Sequence, residues 1–179
     1  MAELKDSGAR RHFDTGAVRD ISDDKGRCDL LPLTVVARLL GGEEPTDAVL
    51  RNVGEFVYDG NPDSLLAAIF HFCRYEGVPL PTAMLEVSKH YADGARKYAE
   101  RNWEKGLPLH CFIDSGVRHY LKHRRGDNDE PHDRAFIWNM LGAVWTYENY
   151  PELIDLPFCS KPQLCVAEGE PKEPYFDRR

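Results

Sequence analysis

Five residues with carboxylate or imidazole side chains lie close together in the segment 127–133. They are Asp127, Asp129, Glu130, His132 and Asp133. Hard cations such as Mg²⁺ and Mn²⁺ prefer oxygen ligands, so dense carboxylates indicate a divalent-cation site. The alternative is a solvated acidic loop that caps a helix and is favoured by the helix dipole. That alternative explains Asp127 and Asp129 better than Glu130 and His132, which lead directly into an apolar helix.

Helical periodicity indicates which residues of the segment 127–133 are the better catalytic candidates. The segment 135–147 is apolar nearly all round and predicts a buried central helix. His132 and Asn139 share its face of small and polar residues, whereas Asp133 lies about a quarter-turn away. Glu130 and His132 are therefore the predicted catalytic residues. Asn139 is either a core amide with both groups satisfied or part of the site, because a buried amide needs partners for its oxygen and nitrogen.

Cationic residues are concentrated in two other segments, 9–27 and 96–105. They are Arg10, Arg11, Arg19, Lys25 and Arg27 in the first segment, and Arg96, Lys97, Arg101 and Lys105 in the second. The formal net charge of −7 argues against binding of duplex nucleic acid, so local cations favour a small polyanion. Carboxylates beside cations suit phosphate hydrolysis, in which a metal polarises the phosphoryl group and Arg or Lys neutralises the leaving group.

The elements that must position these groups are mainly helical. Apolar spacing and turn residues predict helices over 33–40, 47–58, 64–75, 84–98, 111–124 and 135–147. We predict a helical bundle with an irregular Arg/Gly-rich N-terminal arm (1–32), a helical domain (33–150) and an irregular C-terminal tail (151–179). The block 40–82 is predicted to be helical with no catalytic residues, and it resembles an insertion relative to shorter members of the family whose motifs are given below.

The helix 84–98 carries two stripes. Met84, Val87, Ser88, Tyr91, Ala95 and Tyr98 form one, and Glu86, His90, Asp93 and Lys97 form the other. The polar stripe is expected to face solvent unless a neighbouring helix or subunit covers it. Such stripes favour a homo-oligomer.

The compartment is predicted from apolar runs and cysteines. No apolar run follows Met1, and no stretch is long enough to span a bilayer. The five cysteines form no CxxC pair and indicate reduced thiols. We therefore expect a soluble, cytoplasmic protein with no membrane partner.

Several motifs carry a family resemblance. They are Ser7 to Arg11, Thr15 to Ala17, Arg19-Asp20, Lys25 to Arg27, Asp29 to Pro32, His90-Tyr91, Gly94, Lys97-Tyr98, Arg101 to Gly106, Asp114-Ser115, Arg118-His119, Gly126-Asp127, Glu130, His132 and Trp138-Asn139. In these motifs the sequence resembles the bacteriophage and prophage family of dATP/dGTP diphosphohydrolase domain proteins. The resemblance implies hydrolysis of a purine deoxynucleoside triphosphate to its monophosphate and pyrophosphate, in the host cytoplasm if the protein is phage-encoded.

The resemblance also suggests kinship with the MazG-like all-α pyrophosphatases, which hold Mg²⁺ with carboxylates on two neighbouring helices. Their ExxE and ExxD pattern is not plainly present. The segment 130–133 stands for its second half, and Glu86 and Asp114 are the best substitutes for the first. The implied cofactor is Mg²⁺ or Mn²⁺, with Glu86, Asp114, Glu130, His132 and Asp133 as ligands.

The remaining candidates are assigned to the substrate. The triphosphate is expected to contact Arg10, Arg11, Lys25, Arg27, Lys97, Arg101, Lys105 and Arg118. Asn102 or Trp103 is expected to meet the base, and His119 and Asn139 complete the predicted substrate site. A plainer interpretation of Asp114 and Arg118, four residues apart on one helix, is a surface ion pair.

Two other functions remain open. His132-Asp133 is a His-Asp pair of the kind found in HD-type nucleotide phosphohydrolases, with His90 or His119 upstream and Asp155 downstream as further ligands. A non-catalytic phage protein that binds a host partner is the second alternative, with the arm as a docking segment and the acidic loop simply solvated.

Overall fold

The structure, a computed structural model, describes residues 8–21, 25–42, 44 and 46–158. Its elements are β1 (Arg10–His12), β2 (Val18–Asp20), α1 (Leu33–Leu40), α2 (Ala48–Asp59), α3 (Pro62–Tyr75), α4 (Leu80–Lys97), α5 (Leu109–Arg125) and α6 (His132–Asn149). The predicted mainly α-helical bundle is confirmed. Two of the five cysteines, Cys159 and Cys165, lie outside the described residues.

Local chemistry explains where α2 and α3 begin and end. The Asp47 carboxylate accepts a hydrogen bond from the Leu50 N–H and caps α2. Gly60 ends α2 with φ of 70°, a left-handed conformation that glycine adopts without steric cost. Asn61 then caps α3, with Pro62 at its first turn.

The central helix α6 packs against α3, α4 and α5. Its small residues allow close approach to α5, since a Cβ at Gly142 would lie 2.4 Å from a ring carbon of Phe112. On the other side of this contact, a Cβ at Gly116 would lie 2.3 Å from the Met140 methyl carbon. The small residue at position 142 therefore serves helix packing.

The predicted orientation of α4 is wrong in part. His90, predicted for the solvent-facing stripe, is only 7% exposed and packs against the Trp138 ring at 5.7 Å between centroids. The side chain of Lys97 is 9% exposed. Ser88, predicted for the apolar stripe, is exposed. The reason is that α6 and the N-terminal strands cover part of the polar stripe.

The N-terminal arm contains an antiparallel hairpin, which the sequence did not predict. Strands β1 and β2 pair in the register Arg10↔Asp20, Arg11↔Arg19 and His12↔Val18. The Asn102 side chain donates to the Val18 carbonyl at 2.9 Å and accepts from the Val18 N–H at 3.1 Å. These bonds hold the hairpin against the loop that follows α4.

Beyond α6, a short 3-10 turn covers Pro151–Leu153. Phe158 is 4% exposed and packs edge-on against Phe56 and Tyr147. Among the described residues, no helix is both long and apolar enough to cross a bilayer.

Candidate active site

A cavity of about 790 Å³ lies between the hairpin, α4, α5 and α6. Residues from both cationic segments line it, and so do members of the acidic and imidazole cluster. Those that bear charge or imidazole are Arg11, Arg19, Asp20, Lys25, Arg27, His90, Lys97, Glu100, Arg101, His110, Asp114, Arg118, His119, Lys122, Asp129 and Glu130. The fold thus brings together groups that lie more than 100 residues apart in the chain.

Two imidazoles and one carboxylate meet at one end of this cavity. Nδ1 of His119 and Nδ1 of His132 are 2.9 Å apart. Oε1 of Glu130 lies 3.7 Å from each of these two nitrogens. His119 comes from α5 and His132 from the first turn of α6, so the contact between the two helices assembles the cluster.

Two charged residues border this cluster. Nε2 of His132 lies 2.8 Å from an Asp129 carboxylate oxygen. Nζ of Lys122 is 3.5 Å from Asp129 and 3.9 Å from Glu130, so a cation already faces both carboxylates. Burial, and next the adjacent His132 ring, hold the pKa of His119 well below its usual value. A neutral imidazole keeps a lone pair for a proton or a metal.

The lining of the cavity also includes Arg19. Its Nη2 donates to Oδ1 of Asn139 at 2.7 Å, and the guanidinium lies 5.5 Å from the Phe112 ring centroid and 5.9 Å from that of Trp138. Its Nη1 is enclosed and has no hydrogen-bond partner among the described residues. Burial lowers the pKa of Arg19, but an arginine keeps its charge in proteins.

Asn139 is satisfied in this arrangement. Its amide nitrogen donates to the Ala135 carbonyl at 2.7 Å, while its oxygen accepts from Arg19. The amide therefore ties α6 to β2 and orients the guanidinium, while also lining the cavity.

Several predicted phosphate ligands line the cavity but are already paired with carboxylates. Lys97 Nζ lies 2.7 Å from Asp20, and Arg118 donates to Asp114 at 2.6 Å. Arg27 pairs with Asp29 in a bidentate arrangement, and Arg101 pairs with Glu104. Asp114 also accepts from the Cys28 N–H at 2.6 Å. These ion pairs hold the side chains of the cavity wall in place.

The structure does not bring four other predicted residues to the cavity lining. Glu86 points away on α4 and pairs with Lys89. Arg10 pairs with Asp20 at 2.9 Å, and Lys105 donates to the Gly16 carbonyl at 3.1 Å. Asp133 does not line the cavity either. His132 lies just behind the lining, with a side chain that is 1% exposed.

The two residues predicted to meet the base have different surroundings. Both polar groups of Asn102 bind the Val18 backbone, so its amide serves to hold the hairpin. Trp103 lines the cavity and packs edge-on against Tyr91 at 5.4 Å and Trp145 at 5.3 Å.

Residues 71–155, just under half of the chain, match the family model described as dATP/dGTP diphosphohydrolase, N-terminal. In this segment the chain is similar to that family. No curated protein and no solved structure matches the chain. The matched segment (71–155) contains α4, α5 and α6, and therefore the whole cluster of His119, Glu130 and His132. The hairpin with Arg19 precedes it.

Sequence reasoning missed three residues that line the cavity, namely Arg19, Lys122 and Asp129. Arg19 was counted as a cation but not assigned to the site, although strand pairing places it opposite Arg11. Lys122 follows His119 by three residues, which puts both on one face of α5. Asp129 was assigned to a solvated loop, yet it contacts His132. Helical spacing was the signal for Lys122, whereas Arg19 had no such local signal, because it lies on a strand that the sequence did not predict.

A buried histidine in the matched segment, His90, leads to a prediction on pH. Burial lowers the pKa of His90 to about 4, against an ordinary value of 6.5. The unfolded chain binds a proton at His90 below pH 6.5, whereas the folded chain does so only near pH 4. Stability is therefore complete above about pH 6.5 and falls as the pH is lowered towards 4, by about 3 kcal/mol in total.

This prediction is checked by urea unfolding at a series of pH values between 7 and 4. His90→Leu is expected to flatten the dependence by the contribution of this one residue, because leucine does not titrate. If the free energy of unfolding depended on pH in the same way in the wild type and in His90→Leu, the predicted contribution of His90 would be contradicted.

Proposed function

We propose that this chain hydrolyses a purine (deoxy)nucleoside triphosphate to the monophosphate and pyrophosphate within the 790 Å³ cavity. One observation carries the proposal: the cavity has the imidazole and carboxylate cluster at one end and incompletely neutralised cations on its walls. The family of the segment 71–155 supports the same reaction.

Three cations of the lining are suited to bind the phosphate chain. Arg11, Arg19 and Lys25 have no carboxylate partner among the described residues. Guanidinium groups bind phosphate oxygens through paired N–H donors, and the enclosed Arg19 also works at a lower effective dielectric than an exposed side chain. A triphosphate supplies the negative charge that these groups lack.

The cluster fits a divalent cation. One ligand atom from each of His119, Glu130 and His132 lies within 4.8 Å of the others. When bound, such a cation supplies Lewis-acid polarisation of the phosphoryl oxygens. Glu130 and His132 were the predicted catalytic pair, and His119 is the third residue of the same group.

The reaction requires water to attack the α-phosphorus. A new P–O bond forms to the water oxygen, the bridging bond between the α- and β-phosphates breaks, and pyrophosphate leaves. The proton of the water passes to a carboxylate of the cluster, for which Glu130 is placed on the cavity wall. Arg11, Arg19 and Lys25 neutralise the charge that develops on the pyrophosphate.

The base is best accommodated by the aromatic side of the cavity. Tyr91, Trp103 and Trp138 all line it, and rings of this kind offer stacking surfaces to a purine. Tyr91 and Trp103 hold each other edge-on.

A test of the proposal uses Glu130→Gln, which keeps the size of the side chain and removes its charge. Pyrophosphate release from dATP and dGTP is expected to fall by roughly 10²–10³-fold, with helicity unchanged by circular dichroism. Glu55→Gln is the matched control, because Glu55 is an exposed residue of α2 outside the cavity. Full activity in Glu130→Gln would remove this residue from the mechanism.

The products distinguish the competing functions. His119 and His132, two ligands of the HD-type alternative, are in contact, but Asp155 is bound to His110. His110 lies nine residues before His119, or about 13 Å along α5. Release of tripolyphosphate instead of pyrophosphate would favour the HD-type reaction, and no turnover of any nucleotide would favour a binding protein.

A further inference from the structure

We propose that His119 completes a cation site with Glu130 and His132, and that this site selects a first-row transition metal over Mg²⁺. The inference deepens the proposed function, because it names the class of ion at the same site. The proposed metal site is tested by metal binding in the absence of nucleotide, so the result does not depend on whether the chain hydrolyses a nucleotide.

The spacing of the three ligand atoms suits one small ion. Their separations are 2.9 Å between the two Nδ1 atoms and 3.7 Å from each Nδ1 to Oε1 of Glu130. A point about 2 Å from all three atoms exists, and this is close to the bond length that imidazole and carboxylate ligands make with Zn²⁺.

The neighbours of the cluster support the same assignment. Asp129 contacts Nε2 of His132, the ring atom that faces away from the proposed ion, at 2.8 Å. A carboxylate in this position fixes the tautomer of a metal-ligating histidine and raises its basicity. Nζ of Lys122, 3.9 Å from Glu130, lies close enough to offset the carboxylate charge before an ion binds.

The ligand types determine the class of ion. Mg²⁺ favours oxygen ligands and loses its waters reluctantly, whereas imidazole suits Fe²⁺, Co²⁺, Ni²⁺ and Zn²⁺. Two imidazoles and one carboxylate also leave coordination positions for a phosphate oxygen. The oxygen-rich set expected from the sequence, with Glu86, Asp114 and Asp133, is not assembled around this cluster.

A hydrogen-bonded pair that binds no ion is the competing interpretation. In that arrangement the Nδ1–H of His119 donates to Nδ1 of His132, and the Nε2–H of His132 donates to Asp129. Metal binding instead requires the Nε2–H tautomer of His119, because Nδ1 must present its lone pair. The two interpretations therefore differ in the tautomer of one ring.

The experiment is a titration of the metal-free protein with Co²⁺, followed by visible absorption. A d–d band that saturates at one equivalent is expected, and it should persist in a hundredfold excess of Mg²⁺. His119→Ala and Glu130→Gln are each expected to weaken Co²⁺ binding at least about tenfold, and Asp129→Asn by roughly 10–100-fold. His123→Gln is the matched control, because His123 lies one turn along α5 and pairs with Glu76.

Displacement of Co²⁺ by equimolar Mg²⁺, or unchanged binding in His119→Ala, would overturn the proposal. A measurement on the unaltered chain guards against variants that fail to fold: ¹⁵N spectra of the histidine rings with and without Zn²⁺. Zn²⁺ is expected to convert His119 to the Nε2–H tautomer. An Nδ1–H tautomer retained with Zn²⁺ present would establish the hydrogen-bonded pair instead.

Discussion

Arg19→Met is expected to reduce kcat/KM for pyrophosphate release by about 10²–10³-fold. The unliganded protein is expected to keep its free energy of unfolding to within about 1 kcal/mol. The first effect arises because Arg19 lines the cavity and its enclosed Nη1 has no partner among the described residues. Methionine preserves the apolar stem and removes every donor.

The small effect on stability follows from opposing contributions. The variant loses the hydrogen bond to Asn139 and the ring contacts with Phe112 and Trp138. It also removes the cost of enclosing a charge that forms no ion pair with a carboxylate of the described residues, and burying such a charge is expensive. A residue that served only the fold would show the reverse pattern, with a large loss of stability and little change in turnover of the folded fraction.

Two further variants sharpen this prediction. Arg19→Lys keeps the charge but loses the planar fork of donors, so partial activity is expected. Arg51→Met is the matched control, because Arg51 lies on the exposed face of α2 at 3.6 Å from Glu55. Steady-state kinetics measure kcat/KM and urea unfolding measures the free energy of unfolding. Full activity in Arg19→Met would exclude the proposed phosphate contact.

The helices were predictable because their apolar spacing and end signals are local. Segments 33–40, 47–58 and 64–75 closely match α1, α2 and α3. The hairpin was not predictable in the same way, because the side chain that holds Val18 belongs to Asn102. A strand held by a partner 84 residues away carries little local signal.

The polar stripe of α4 shows a different limit. Periodicity correctly placed His90 and Lys97 on one face, but it could not say what covers that face. The Trp138 ring covers His90, and Asp20 pairs with Lys97. Which face of a helix with both polar and apolar residues is covered is decided by its tertiary contacts, and not by its own residues.

In the candidate site too, the residues that are close in sequence were predicted, and those brought in by tertiary contacts were not. Glu130 and His132 are two residues apart and were singled out by their position at the start of the central helix. Their partner His119 lies on another helix, and its contact depends on how α5 and α6 pack. Arg19 was harder still, since a strand that the sequence did not predict delivers it to the cavity.

Asp47→Ala is expected to lower the free energy of unfolding by about 3 kcal/mol. Asp47 is buried, and its carboxylate accepts from the Leu50 N–H, the Tyr120 hydroxyl at 2.6 Å and the Arg124 guanidinium. Alanine removes the cap of α2 and leaves the buried Tyr120 hydroxyl without its acceptor. Arg124 adds less, because its side chain is 28% exposed and water can solvate it.

The size of this loss depends on burial, which a second aspartate tests. Asp63 lies in the exposed first turn of α3, so Asp63→Ala is expected to cost less than about 1 kcal/mol. Chemical denaturation measures both variants, and equal losses would contradict the argument. Asp47 lies outside the cavity lining, so Asp47→Ala should retain kcat/KM at temperatures where it remains folded. Asp47→Ala would then lower stability but not activity, and Arg19→Met would lower activity but not stability. The reason is that the fold pairs the Asp47 carboxylate fully, whereas Nη1 of Arg19 has no partner among the described residues.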